Sequence, residues 1–231
     1  MIVLKKIRGI IVFIQFSITV AVVVFFMYLF RNHTHKVIKI WMRIQMFFLG
    51  IKIEVEGKLD ESCDLLLLNH QSLLDIIVIE HIHNRDIAWV AKKEIADLFF
   101  FGHIIKAPRM ISVDRENKAG LIKLLSDVKN RLELGRPIAM FPEGTRSDGT
   151  FMGEFKAGAK MVGNKFNLKV QPVVLFNTRN IVNSQKMEAA PGIVKIVYLE
   201  PVQASKDSTW YEDCEANMRE VFQKEYKNYA K

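Results

Sequence analysis

The chain has 231 residues, half of them hydrophobic and a quarter charged, which excludes wholesale disorder and fits one globular domain with an appendage. Its formal net charge is +8, and the whole excess lies in residues 1–53, which hold Lys5, Lys6, Arg8, Arg31, Lys36, Lys39, Arg43 and Lys52 and no carboxylate. A nucleic-acid-binding domain carries its basic excess on the folded body, so no nucleic-acid partner is expected; basic residues flanking the most apolar part of the chain point instead to membrane phospholipids with anionic headgroups.

Residues 9–30 (GIIVFIQFSITVAVVVFFMYLF) contain no charge. As a helix they reach about 33 Å, close to the hydrocarbon thickness of a bilayer. The run is too long for a signal peptide and ends at Leu29-Phe30-Arg31 without a small-residue cleavage site. A short polar stretch leads to residues 37–50, where Lys36, Lys39 and Arg43 share one helical face beside Trp41, Phe47 and Phe48. That pattern is expected of an interfacial helix. Residues 1–50 are therefore expected to anchor the chain. They form either a two-helix hairpin dipping into one leaflet or one span followed by an interfacial helix. Basic residues at both ends favour the hairpin.

Residues 51–231 are expected to form the second unit, an α/β domain. Alternation in 51–57 reads as a strand, and the apolar run 64–70 as a buried strand ending at a loop. A helix over 73–81, a strand over 87–90, a helix over 94–101 and a strand over 110–113 follow. The spacing of Leu121, Leu124, Leu125, Val128 and Leu132 predicts a helix over 118–134, stopped by Gly135. Strands over 137–141, 170–175 and 193–199, a short helix over 156–162 and a terminal helix over 209–229 complete the pattern. Residues 177–191 show no clear period and read as a surface loop with one helical turn. Strands alternating with helices predict a mixed, largely parallel sheet flanked by helices. Cys63 and Cys214 form no C-x-x-C and read as two unpaired thiols. The pairs His33/His35 and His81/His83 lack partners at metal-ligand spacing.

Ligands in open α/β sheets bind outside the carboxyl ends of strands. Three strand ends here are polar. The first is Asn69-His70-Gln71-Ser72-Leu73-Leu74-Asp75. His70 and Asp75 cannot share one face of a continuous helix. They meet only if His70 sits in the loop and Asp75 reaches back from the first turn, giving a His–carboxylate pair able to take a proton from a hydroxyl. An N-capping loop with a buried histidine is the alternative. The second end is Val113-Asp114-Arg115, and the third is Phe141-Pro142-Glu143-Gly144-Thr145-Arg146-Ser147, a tight turn with donors suited to a phosphate. No Walker loop, G-x-S-x-G elbow, H-E-x-x-H helix or G-x-G-x-x-G fingerprint occurs.

Together these segments resemble the glycerolipid acyltransferase family, in particular bacterial lysophosphatidic acid acyltransferases. Asn69, His70, Ser72 and Asp75 match its N-H-x-S-x-x-D; Val113-Asp114-Arg115 matches the end of its second motif; Phe141–Ser147 matches F-P-E-G-T-R-S without exception. Phe155-Lys156-x-Gly158 and the apolar-Pro step at Val170-Gln171-Pro172-Val173 agree as well. The chain departs in carrying Pro108-Arg109 where a glycine is usual, and Leu73 where an aromatic is common.

The resemblance implies acyl transfer from a thioester, on acyl carrier protein or coenzyme A, to the free hydroxyl of lysophosphatidic acid. Phosphatidic acid is the product. It makes His70 the general base and Asp75 its orienting partner, with Ser72 structural. Arg115, Glu143, Gly144, Thr145 and Arg146 would form the phosphate site. No metal and no cofactor beyond the thioester co-substrate are implied. The implied location is the inner membrane, with the catalytic domain on the cytoplasmic face. Glycerol-3-phosphate or another lysolipid is the alternative acceptor, and a non-catalytic membrane lipid-binding protein is the alternative class.

Overall fold

The computed structural model describes residues 2–114 and 118–229. Two helices, α1 (Ile2–Leu29) and α2 (Thr34–Leu49), precede strand β1 (Ile51–Glu56). Then follow β2 (Leu65–Leu68), α3 (Leu74–Ile82), β3 (Ala88–Lys92), α4 (Lys93–Ala96), α5 (His103–Lys106), β4 (Ile111–Val113), α6 (Lys118–Glu133) and β5 (Ile138–Met140). Next come α7 (Ala157–Phe166), β6 (Lys169–Phe176), α8 (Thr178–Ile181), a hairpin of β7 (Val182–Asn183) and β8 (Glu188–Ala189), β9 (Gly192–Tyr198), β10 (Val202–Gln203) and α9 (Trp210–Tyr229).

The main sheet runs β1-β9-β6-β2-β5-β3-β4, with β10 beside β6. All its pairings are parallel except β6 with β9 and β6 with β10, so the expected mixed, largely parallel sheet is present. Strand β2 lies at its centre and is buried on both faces. Leu66 and Leu68 join one core with α1, α2 and α3; Leu65 and Leu67 join the other with α6, α7 and α9. Burying one such side chain contributes roughly 1.5–3 kcal/mol. The carboxyl ends of β2, β4, β5 and β6 place residues 69–75, 114, 141–147 and 177–179 along one rim of the sheet.

The two N-terminal helices are not set apart from this core. One face of α1 buries Val20, Val23, Val24 and Met27, and α2 buries Ile38, Trp41, Met42 and Met46 in the same cluster as α3. Gly9 makes this approach possible: a Cβ there would lie 2.0 Å from the carbonyl oxygen of Met187 in the β7–β8 turn. The opposite face of α1 exposes Ile7, Ile11, Ile14, Ile18, Phe25 and Leu29, at helical spacing along its length. Among the described residues α1 is the helix long and apolar enough to cross a membrane.

Three local expectations are corrected. Residues 94–101 do not form one helix. The chain turns after α4 and resumes as α5, because Gly102 packs where a Cβ would sit 2.2 Å from the carbonyl oxygen of Ala96. Lys39 does not extend a solvent-facing basic stripe. Its ammonium turns inward and donates to the carbonyls of Glu80 and His83 at the end of α3, where helix carbonyls lack partners. Residues 177–191 do contain a helical turn, but they are not a plain surface loop: Ile181, Val182 and Ala189 are buried. Both thiols, Cys63 and Cys214, are free, as read from the sequence, and the structure buries both.

Leu67→Ala should cost roughly 2–5 kcal/mol, because a central, closely packed strand relaxes poorly around a cavity. Val55→Ala, on the exposed edge strand β1, should stay within about 1 kcal/mol. Thermal unfolding of both variants checks this contrast.

Candidate active site

The site is built on the turn between β2 and α3. Asn69 ends β2 by pairing with β6 as a strand would: its amide donates to the carbonyl of Leu175 at 2.9 Å and accepts from the N–H of Leu175 at 2.7 Å. This fixes the next residue, His70, at the sheet rim. Asp75 lies in the first turn of α3, fully buried, and its carboxylate reaches back to His70. Oδ2 accepts from His70 Nδ1 at 2.8 Å and from the N–H groups of Gln71 and Ser72 at 2.7 and 2.8 Å. Oδ1 accepts from the Thr178 hydroxyl. A buried carboxylate is tolerated only when so satisfied.

Because Asp75 takes Nδ1–H, the lone pair of the imidazole resides on Nε2. The ring stacks on Phe141 at 3.8 Å between centroids, and Phe141 stacks in turn on Trp89. The histidine side chain keeps 13% of its surface accessible. Ser72 is not placed as a nucleophile. Its hydroxyl donates to the carbonyl of Val182 at 2.6 Å and accepts from the N–H of Leu74 at the start of α3.

The turn after β5 is clamped to this loop. Glu143 is buried, and its two carboxylate oxygens accept the N–H groups of His70 and Gly153. The carbonyl of His70 accepts the N–H of Ser147 at 2.8 Å. Burial pushes the Glu143 carboxyl up to about 7, with the His70 and Gly153 amides pulling the other way. Glu143 thus joins two segments through its backbone contacts, and it is not among the residues lining the cavity. Gly144 adopts φ +73°, which favours glycine, and lets the chain turn so that Gly144, Thr145 and Arg146 line the same cavity as His70. Arg146 Nη1 donates to the Ser184 hydroxyl at 3.3 Å. Arg115 lies outside the described residues.

Two cavities meet at the Phe141–Gly144 turn. One, of about 510 Å³, runs from His70, Thr145 and Arg146 between α1, α2, α3 and the segment around α5. Its walls are apolar, with Met27, Trp41, Ile77 and Ile104 among them. The other, of about 540 Å³, lies beyond the turn against α6 and α7 and is rimmed by Asp114 and Lys156.

Residues 177–185 contribute what the sequence reading missed. Thr178 bonds Asp75, Arg179 donates to the carbonyl of Ser147 at 2.9 Å, and Ser184 and Gln185 stand beside Arg146. A signal was available: these residues follow the carboxyl end of β6, the same kind of position that marks the other three segments.

Glu80, at the far wall of the first cavity, is buried and accepts the indole N–H of Trp89 at 2.8 Å. Burial raises its pKa from 4.5 to about 7, against the opposing pull of Trp89 and Lys39. The folded chain therefore holds this proton more tightly than the unfolded chain does. The resulting stabilisation is complete below about pH 4.5 and is lost as the pH rises to about 7. Glu80→Gln keeps an acceptor for Trp89 and cannot titrate. Wild type should lose thermal stability relative to this variant across that window; parallel curves would contradict the assignment.

The comparisons with known proteins agree with this architecture. A model of the Acyltransferase family matches residues 52–176. The 1-acyl-sn-glycerol-3-phosphate acyltransferase of Helicobacter pylori is 43% identical over 182 residues, covering 77% of this chain and 76% of that protein. The lyso-ornithine lipid O-acyltransferase of Rhizobium meliloti is 34% identical over 117 residues, 50% of this chain and 39% of that protein. The crystal structure of the 1-acyl-sn-glycerophosphate acyltransferase of Thermotoga maritima superposes with a TM-score of 0.79 at 21% identity, covering 96% of each chain, so the fold is shared. With His70, Asp75 and the Phe141–Ser147 turn assembled at one rim of that fold, the chain belongs to the acyltransferase family.

Proposed function

We propose that the protein transfers a fatty acyl group from a thioester, on coenzyme A or acyl carrier protein, to the free hydroxyl of lysophosphatidic acid, giving phosphatidic acid for phospholipid synthesis. The observation that carries this reading is the His70–Asp75 pair, held at 2.8 Å, opening onto an apolar cavity whose polar end is Thr145 and Arg146. A base beside an anion-binding turn and a lipid-sized cavity suits a phosphorylated lysolipid. Two apolar cavities meeting at the Phe141–Gly144 turn, one of them lined by His70, suit two substrates that each carry an acyl chain.

In this mechanism Nε2 of His70 takes the proton of the acceptor hydroxyl as its oxygen attacks the thioester carbonyl. Asp75 stabilises the imidazolium that forms. The tetrahedral intermediate collapses by breaking the C–S bond, and the departing thiolate regains the proton from Nε2. No acyl-enzyme forms. Positioning the two substrates supplies several kcal/mol of the barrier, and the base adds about 10²–10⁴-fold. The guanidinium of Arg146 and the Thr145 hydroxyl bind the phosphate; Gly144 allows the turn, and Glu143 holds it against His70. Arg115 belongs to the same proposed phosphate set.

The exposed apolar stripe of α1, opposite the face packed on the body, supports a helix lying in one leaflet with the sheet held beside it. The basic N-terminal segment then faces anionic headgroups of the inner membrane, with the catalytic body on the cytoplasmic side.

His70→Ala should lower kcat by about 10²–10⁴-fold on lysophosphatidic acid while leaving the unfolding temperature within a few degrees. Activity near wild type would remove the base assignment. Arg146→Ala should raise KM for phosphorylated acceptors by at least tenfold and leave acceptors lacking phosphate unaffected. An equal loss on both would move Arg146 out of the phosphate site and favour an acceptor such as a lyso-aminolipid, the class named for the Rhizobium relative.

A further inference from the structure

The segment joining β3 to β4 presents four consecutive apolar side chains outward: Leu98, Phe99, Phe100 and Phe101, with Phe99 97% exposed. A soluble surface rarely shows such a run, and it marks a contact. The run is held in place. Gly102 locks the turn, and His103 at the start of α5 shares a 2.6 Å hydrogen bond with the Tyr28 hydroxyl near the end of α1. Close by on α1, Phe25, Phe26 and Leu29 are exposed as well. The two elements therefore offer neighbouring apolar surfaces.

Charge identifies what covers them. Lys92, Lys93, Lys106 and Arg109 flank the run and are exposed, against two exposed carboxylates, Glu94 and Asp97, on its N-terminal flank. Lys93 also pairs with Asp114 at 3.6 Å. An aromatic tip between basic flanks suits an anionic bilayer surface, with rings in the interfacial region and ammonium groups among the headgroups. The same segment also forms part of the active-site cavity. Ile95, Ile104 and Ile105 line it from one side, and Val23 and Met27 of α1 line it from the other.

We propose that Leu98–Phe101 is a second membrane-insertion element, and that together with α1 it frames a lateral mouth through which the lysolipid reaches His70 directly from an anionic leaflet. The insertion rests on the exposed surface alone; the route to His70 rests on the lysolipid reading above. An acceptor delivered this way never exposes its chain to water, and its phosphate stays at headgroup depth beside Lys92 and Arg146, both of which line the cavity.

Spin labels at Phe99→Cys, Ile18→Cys on α1 and Ile122→Cys on α6 test the insertion in the full chain, since Cys63 and Cys214 are buried. Ile122 is an exposed apolar control on the helix layer opposite α1. In vesicles of phosphatidylglycerol and phosphatidylethanolamine, the labels at Phe99→Cys and Ile18→Cys should collide with oxygen and be shielded from a water-soluble nickel chelate. The label at Ile122→Cys should be open to the chelate. A Phe99→Cys label as open to the chelate as that at Ile122→Cys, with Ile18→Cys in lipid, overturns the proposal and leaves the α1 anchor standing. Labels at both Phe99→Cys and Ile18→Cys open to the chelate overturn both. A Phe99→Cys label shielded from both reagents indicates a protein neighbour and overturns the lipid assignment. Phe99→Asp should raise KM several-fold for lysophosphatidic acid in vesicles with kcat unchanged. An unchanged KM would overturn the lateral mouth.

Discussion

The buried carboxylate of Asp75 is the constraint on which the rest of the site depends. It has no access to water, so each lone pair must be met by the protein. The partners come from three directions: the imidazole of His70, the N–H groups of residues 71 and 72, and the hydroxyl of Thr178 beyond β6. Satisfying one charge therefore fixes the loop after β2, the first turn of α3 and the segment after β6 at once. The imidazole is left with its tautomer and orientation set. Glu143 repeats the device one strand away, tying the backbone of His70 to the loop at Gly153. Two buried carboxyl groups thus preorganise a site whose lining side chains keep access to the cavity.

The proposed chemistry asks for little beyond position. A thioester is already activated, and a hydroxyl needs only to lose its proton as it attacks. What is demanding is bringing an amphiphile with a charged head and a long chain to one histidine. The arrangement of α1 answers that demand. Its packed face belongs to the same core as β2 and α3, while its other face is apolar and exposed. The cavity beside His70 is walled by Phe16, Val23 and Met27 of that helix, so its exposed apolar face and the reaction centre lie on opposite sides of α1. The placement of charge fits the same scheme. The excess sits in the N-terminal segment, and the neutral body carries its cations Lys92 and Arg146 where an anionic head would arrive.

Much of this was legible in the sequence, for physical reasons. β2 is four leucines buried on both faces, and a continuous apolar run reads as such a strand. His70 and Asp75 could meet only across a loop and a first helical turn, and they do so. Other features were not legible. Thr178 follows Asn177, whose φ of +70° reverses the chain, and no local period announces a reversal that serves a partner more than 100 residues away. Lys39 looked like part of a basic stripe because helical spacing records only its own helix; the free carbonyls at the end of α3 turn it inward. Residues 94–101 looked helical by composition, but the close approach at Gly102 is a tertiary demand.

The central claim is that one histidine moves an acyl group from a thioester to the hydroxyl of lysophosphatidic acid without an acyl-enzyme. It is tested most directly by mass spectrometry of lipid and protein after incubation with lysophosphatidic acid and palmitoyl thioesters of coenzyme A or acyl carrier protein. Phosphatidic acid should appear mole for mole with released thiol from at least one donor, and the protein should keep its unmodified mass when donor is supplied alone. Absence of phosphatidic acid with both donors, or a protein mass raised by one acyl group, would contradict the account.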